Sequence, residues 1–237
     1  MPRCDRPKVA SFRGMELTVP SRPVAWWRRL WPPRGPAPST NEALRTQADP
    51  IAQFAAWLEM ARQAKLSEPT AMAVATAGAD GMPAVRMLLL KEWNERGFVF
   101  YTHLASPKAA DLKANPHAAL CFYWQPLGRQ VRVVGPVERV SDAEADAYFA
   151  TRPRLSQIGA WASPQSQPMA TRFELELHCA TAALRFGLGP VPRPPGWTGF
   201  RVVPVKMEFW LGKPFRLHDR VCFTRAGRGW TAQRIFP

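Results

Sequence analysis

Five short apolar runs, rich in β-branched and aromatic residues, follow one another between Ala71 and Val140, and the signals between them restrict how they can pair. They are Ala71–Thr76, Ala84–Leu90, Phe98–Thr102, Ala118–Trp124 and Gln130–Val140. Ala79-Asp80-Gly81 parts the first two and Asn94-Glu95-Arg96-Gly97 the next pair, and both read as hairpin turns. Phe200–Trp210, Arg216–Arg225 and Gly229–Ile235 predict three further strands. Many short strands joined by tight turns argue for an antiparallel barrel rather than a parallel sheet. The expected class is mainly β, a barrel with flanking helices.

The helices are few. Ile51, Phe54, Ala55, Leu58 and Ala61 recur at helical spacing, which predicts an amphipathic helix over about 50–65. Ser106–Asn115 reads as a short helix stopped by Pro116. Ser141 and Glu144 form a capping box that opens a helix through about Ala150, and Ser166–Phe186 reads as mostly helical up to Gly187. Residues 1–48 differ: nine Arg or Lys against three acids, prolines clustered over 32–38, and no persistent period. They predict a mobile basic extension, with 49–237 as the folded domain. Ala25–Trp31 also fits a membrane-surface contact, the Arg-rich composition has some transit-peptide character, and Met15 is a candidate start.

Several chemistries are excluded early. No 18-residue apolar window exists to span a membrane, and no G-x-G-x-x-G, Walker loop or G-x-S-x-G elbow appears. Four histidines lack ligand spacing and four cysteines lack any C-x-x-C pair, so neither a metal site nor a disulfide framework is expected and a reducing cytoplasm fits. A net charge of +14 favours anionic partners.

The informative residues are cations and hydroxyls at strand ends and helix starts. Arg86 and Lys91 bracket an apolar run and, five apart, face opposite sides of an ideal strand. Tyr101 and Thr102 end a strand, and Ser106 and Lys108 open the next helix, where free N–H groups favour a phosphate. Tyr148, Arg152 and Ser156, at i, i+4 and i+8, would converge on one helical side if Pro153 allows it, a set suited to a phosphomonoester. Arg216, His218 and Arg220 would alternate along one strand face.

Six strings carry a resemblance: R-M-L-L-L-K (86–91), F-Y-T (100–102), R-Q-V-R-V-x-G (129–135), Y-F-x-x-R-P-R-x-S-Q-I-G-A-W (148–161), Q-S (165–166) and E-F-W-x-G…R-L-H-D-R (208–220). Their order and spacing resemble the pyridoxamine 5′-phosphate oxidase family over about residues 49–237. The resemblance implies a split β-barrel homodimer with FMN at the subunit interface, oxidising pyridoxamine or pyridoxine 5′-phosphate and reducing oxygen to hydrogen peroxide. It implies that Arg86, Lys91, Tyr101, Thr102, Lys108, Gln130, Gln165, Ser166, Trp210 and Arg220 hold FMN. It places Lys91, Tyr148, Arg152 and Ser156 on the substrate phosphate, and Arg216 and His218 as catalytic residues against the pyridine ring.

Three departures stand out: Pro107 where the family usually has a basic residue, Leu211 for a usually polar one, and no R-x-x-Y…G-L pattern near the N-terminus. They keep open a split-barrel flavoenzyme with another substrate. A nucleic-acid binder, the reading that charge alone would favour, is opposed by basic residues dispersed through apolar strands with no recognition helix.

Overall fold

A computed structural model describes Leu44 and residues 49–237, with ten strands and five α-helices among them. Helix α1 (Pro50–Gln63) begins where Asp49 accepts a hydrogen bond from the Ile51 amide at 3.1 Å, with Pro50 in the first turn, where no N–H is needed. It buries Phe54, Trp57, Leu58 and Ala61 against the barrel. Strand β1 (Ala71–Ala77) pairs antiparallel with β2 (Pro83–Leu89), and β3 (Glu92–Asn94) forms a hairpin with β4 (Gly97–His103). After α2 (Pro107–Ala114), β5 (His117–Trp124) returns beside β1 and pairs with β6 (Arg129–Arg139). Phe54 meets Phe98 and Phe122 edge-on, each at 4.9 Å between centroids, which locks α1 over the barrel's interior.

Three helices follow: α3 (Asp142–Ala150), α4 (Arg154–Ala162) and α5 (Arg172–Phe186). The chain closes with β7 (Trp197–Val202), β8 (Lys206–Leu211), β9 (Asp219–Ala226) and β10 (Gly229–Arg234). The main sheet runs β10-β9-β8-β6-β5-β1-β2, and β7 bridges β6 to β4. Strand β6 changes partner along its length: Arg129–Val134 pair with β8 and Val137–Arg139 with β7. At the switch, a Cβ on Gly135 would lie 1.8 Å from the Val203 carbonyl oxygen, so only glycine fits.

Three expectations are corrected. The single strand over 200–210 is two strands, because the chain changes position along β6 at Val203–Val205 and Pro204 has no N–H for a ladder. The strand expected from Arg216 begins at Asp219; Pro214–Arg216 form a 3₁₀ turn, so Arg216 and His218 do not alternate with Arg220 along one strand. The helix expected from Ser166 begins at Arg172, and Ser166 has φ 67°, outside helical space.

Both bonds of the Ser141–Glu144 capping box are present. Glu144 also pairs at 2.6 Å with Arg201 of β7, a guanidinium 1% exposed that Glu138 binds at 3.0 Å. These bonds, Arg201's foremost, hold the Glu144 carboxyl below its usual range. Such a group stabilises the fold above its unfolded value of about 4.5, and that contribution disappears as pH falls through the lower folded value. Glu144→Gln keeps the cap geometry and removes the ion pair. It is expected to lose about 1.5–3 kcal/mol at neutral pH, with a smaller further loss in acid than the parent, as read from melts across pH.

The extension expected to be mobile over 1–48 lies outside the described residues except at Leu44, where the structure departs from that expectation. Leu44 is buried, its N–H donating to Asp219 at 3.2 Å and its carbonyl accepting from Arg234 at 2.7 Å.

Candidate active site

The site grows from the end of β4. Thr102 lies under the start of α2, its hydroxyl 3.3 Å from that of Ser106 and donating to Gln165 Oε1 at 2.9 Å. Lys108 Nζ donates to the Thr102 hydroxyl at 3.0 Å and reaches Gln165 Oε1 at 3.5 Å. Lys108 is 7% exposed, and no carboxylate among the described residues lies within ion-pairing distance of it. Burial, and then the nearby Arg86 charge, hold its ammonium below the usual lysine range. Arg86 is engaged by Thr76 Oγ1 at 2.6 Å and faces Asp111 at 3.7 Å. A buried ammonium ringed by hydroxyl and amide groups at a helix start has the chemistry that an anion would complete.

Beside this cluster opens a cleft of about 800 Å³, into which Lys91, Tyr101, Thr102 and Gln165 face. Tyr148, Arg152 and Ser156 line the same cleft. Pro153 does break the helix: α3 ends at Ala150 and Pro153 caps α4. The corner between the two helices brings the three side chains together where one continuous helix does not exist. Tyr101 is pushed up to about 12, chiefly by burial, and so remains a phenol that can donate. Its ring lies over Gly199, where a Cβ would come within 2.7 Å of it.

The C-terminal candidates stand apart from this cleft within one chain. Gln130, Trp210 and Arg220 are aligned across β6, β8 and β9, and Glu208 binds the Arg220 guanidinium at 2.7 and 3.0 Å. His218 rests 4.6 Å from the Trp210 ring and accepts from the Lys213 amide at 3.2 Å. Arg216 sits on an outward turn with φ 62°, next to Phe215, which is 92% exposed. Ser166 follows Gln165 but does not line the cleft. Trp197, which does, escaped the sequence reading because the strand it opens was expected to begin at Phe200, after a Pro-rich loop.

An antiparallel split barrel with a buried ammonium beside an open cleft is the architecture of the split-barrel oxidase class. Residues 58–186 match the family model described as pyridoxamine 5′-phosphate oxidase, and residues 197–237 match the pyridoxine 5′-phosphate oxidase C-terminal dimerisation region. The chain belongs to the pyridoxamine 5′-phosphate oxidase family. It is 58% identical over 194 residues to the pyridoxine/pyridoxamine 5′-phosphate oxidase of Rhodospirillum rubrum, covering 80% of this chain and 96% of that protein. The enzyme of the same name from Caulobacter vibrioides is 56% identical over 199 residues, 84% of this chain and 90% of the relative. Among solved structures, PhzG from Burkholderia lata in complex with tetrahydrophenazine-1-carboxylic acid aligns with a TM-score of 0.76 and 30% identity, covering 90% of this chain and 98% of that one.

Proposed function

We propose that this chain oxidises pyridoxamine or pyridoxine 5′-phosphate to pyridoxal 5′-phosphate with FMN, reducing oxygen to hydrogen peroxide, as a cytoplasmic homodimer whose oxidase unit is residues 49–237. The observation that carries this reading is the gathering of Lys91, Tyr148, Arg152 and Ser156 in one cleft beside the Lys108 cluster. One phosphate subsite there suits the substrate and the other suits FMN.

The residues present fit FMN: a buried ammonium without a carboxylate, the Thr102 and Ser106 hydroxyls, and the Gln165 amide. Bound FMN would supply the two-electron acceptor. Lys91, Arg152 and Ser156 hold the substrate phosphate and Tyr148 adds a phenolic donor, so remote binding energy aligns the reacting carbon. Arg216 and His218 would orient the ring from the partner subunit, since in their own chain they lie outside the cleft, and Gln130, Trp210 and Arg220 would help to hold FMN in the same way. A match to the dimerisation region supports this arrangement. So does the apolar outer face of β1 and β2, where Ala73 and Ala75 lie opposite Met87 and Val85, exposed by 65% and 70%.

The test is the absorption spectrum of the purified protein, followed by peroxide release on adding each phosphate ester. Yellow protein with about one FMN per subunit, losing flavin on dilution below the dimer constant, is expected. Colourless protein, or no peroxide with either ester, overturns the reading.

A further inference from the structure

Arg152 is held differently from three other shielded arginines. Arg193, Arg201 and Arg220 each pair with carboxylates, of Asp146, Glu144 and Glu208 respectively, at 2.6–2.7 Å. Among the described residues Arg152 has no such partner, and its Nη1 is buried without a hydrogen bond. Two aromatic rings support it instead, with Cζ 5.0 Å from the Trp197 centroid and 5.4 Å from that of Phe149. Trp197 is itself fixed. Its ring stacks on Tyr101 at 5.0 Å and 9°, meets Phe149 edge-on at 5.0 Å, and is 7% exposed.

We propose that Trp197 is a positioning residue for the substrate phosphate, its ring holding the Arg152 guanidinium in place without neutralising it. The proposal rests on the function assigned to the cleft. A carboxylate in this position would orient the guanidinium equally well, but it would occupy the N–H edge and cancel the charge that the phosphate needs. An aromatic face attracts the cation through its quadrupole and leaves the donor edge free. The same ring stacks on Tyr101, which in turn stacks on Tyr148 at 4.1 Å and 14°, so one aromatic array sets both the cation and the phenol that face the phosphate.

The test uses FMN-loaded enzyme and pyridoxine 5′-phosphate. Trp197→Leu is expected to raise KM by about three- to tenfold with kcat little changed and FMN content normal, and Trp197→Phe to restore most of the affinity. Inorganic phosphate should weaken as a competitive inhibitor in parallel. In an Arg152→Ala background the Leu substitution should leave KM nearly unchanged, because its effect runs through the guanidinium. An unchanged KM in the single variant, or an equal rise in both backgrounds, overturns the proposal. If Trp197→Leu does not fold, Trp197→Phe decides: a small KM rise that vanishes without Arg152 supports the role, and no rise, or one that persists without Arg152, removes it. Failure of the functional reading is distinguishable, since the parent enzyme would then release no peroxide at all.

Discussion

Enzyme carrying Arg152→Ala and enzyme carrying Arg216→Leu should each be badly impaired, yet a dimer with one subunit of each kind should work at one of its two sites. Arg152 lines the cleft of its own chain, whereas Arg216 projects from an outward turn and does not. If each site takes Arg152 from one subunit and Arg216 from the other, the mixed dimer contains one intact site and one doubly altered site. Alone, Arg152→Ala should raise KM about 10- to 150-fold if this guanidinium holds the substrate phosphate as proposed. Arg216→Leu keeps bulk but misplaces the ring, so kcat/KM should fall while FMN content stays normal. Co-expression with two affinity tags isolates the mixed dimer, which should recover about half of parental activity. A mixed dimer no more active than the two altered parents would place both arginines in one chain's site.

The second large effect concerns Lys108. Its ammonium is buried among oxygens with no carboxylate partner among the described residues, so in the flavin-free protein it is a desolvated, poorly compensated charge. A phosphate would supply the missing counter-charge. Lys108→Met should therefore act with opposite signs on the two forms. The apoprotein should melt at the same temperature or higher, and FMN affinity should fall about 10- to 150-fold, as read by quenching of flavin fluorescence. KM for substrate at saturating FMN should change little. An apoprotein strongly destabilised by the change, or an unaltered FMN affinity, would assign the ammonium a purely structural task.

Much of this was legible in the sequence because the signals are local. Alternating apolar runs, the Asp80-Gly81 turn and the Ser141–Glu144 box each depend on residues a few positions apart, and each appears where expected. The errors fall where tertiary structure overrides local pattern. Phe200–Trp210 has the composition of one strand, yet it breaks because β6 presents two different partners. Arg216 and His218 alternate with Arg220 on paper, but the backbone turns left-handed at Phe215 and Arg216. The spacing of Tyr148, Arg152 and Ser156 and the break at Pro153 were both visible, but not that the break forms a corner which brings the three together. Trp197 gave no signal beyond its aromaticity, since its part depends on a guanidinium 45 positions away in the chain.

The double partnership of β6 also bears on how the chain reaches this state. One edge of β6 is covered at once by β5, its neighbour in sequence, but the other waits for strands that begin at Trp197. On a ribosome, an apolar strand edge therefore stands open while three helices are synthesised and emerge. Closure over so long a loop should make docking of the last sixth of the polypeptide the slow step of refolding, and a truncated product ending before β7 should be captured by chaperones or aggregate rather than accumulate as a stable half-barrel.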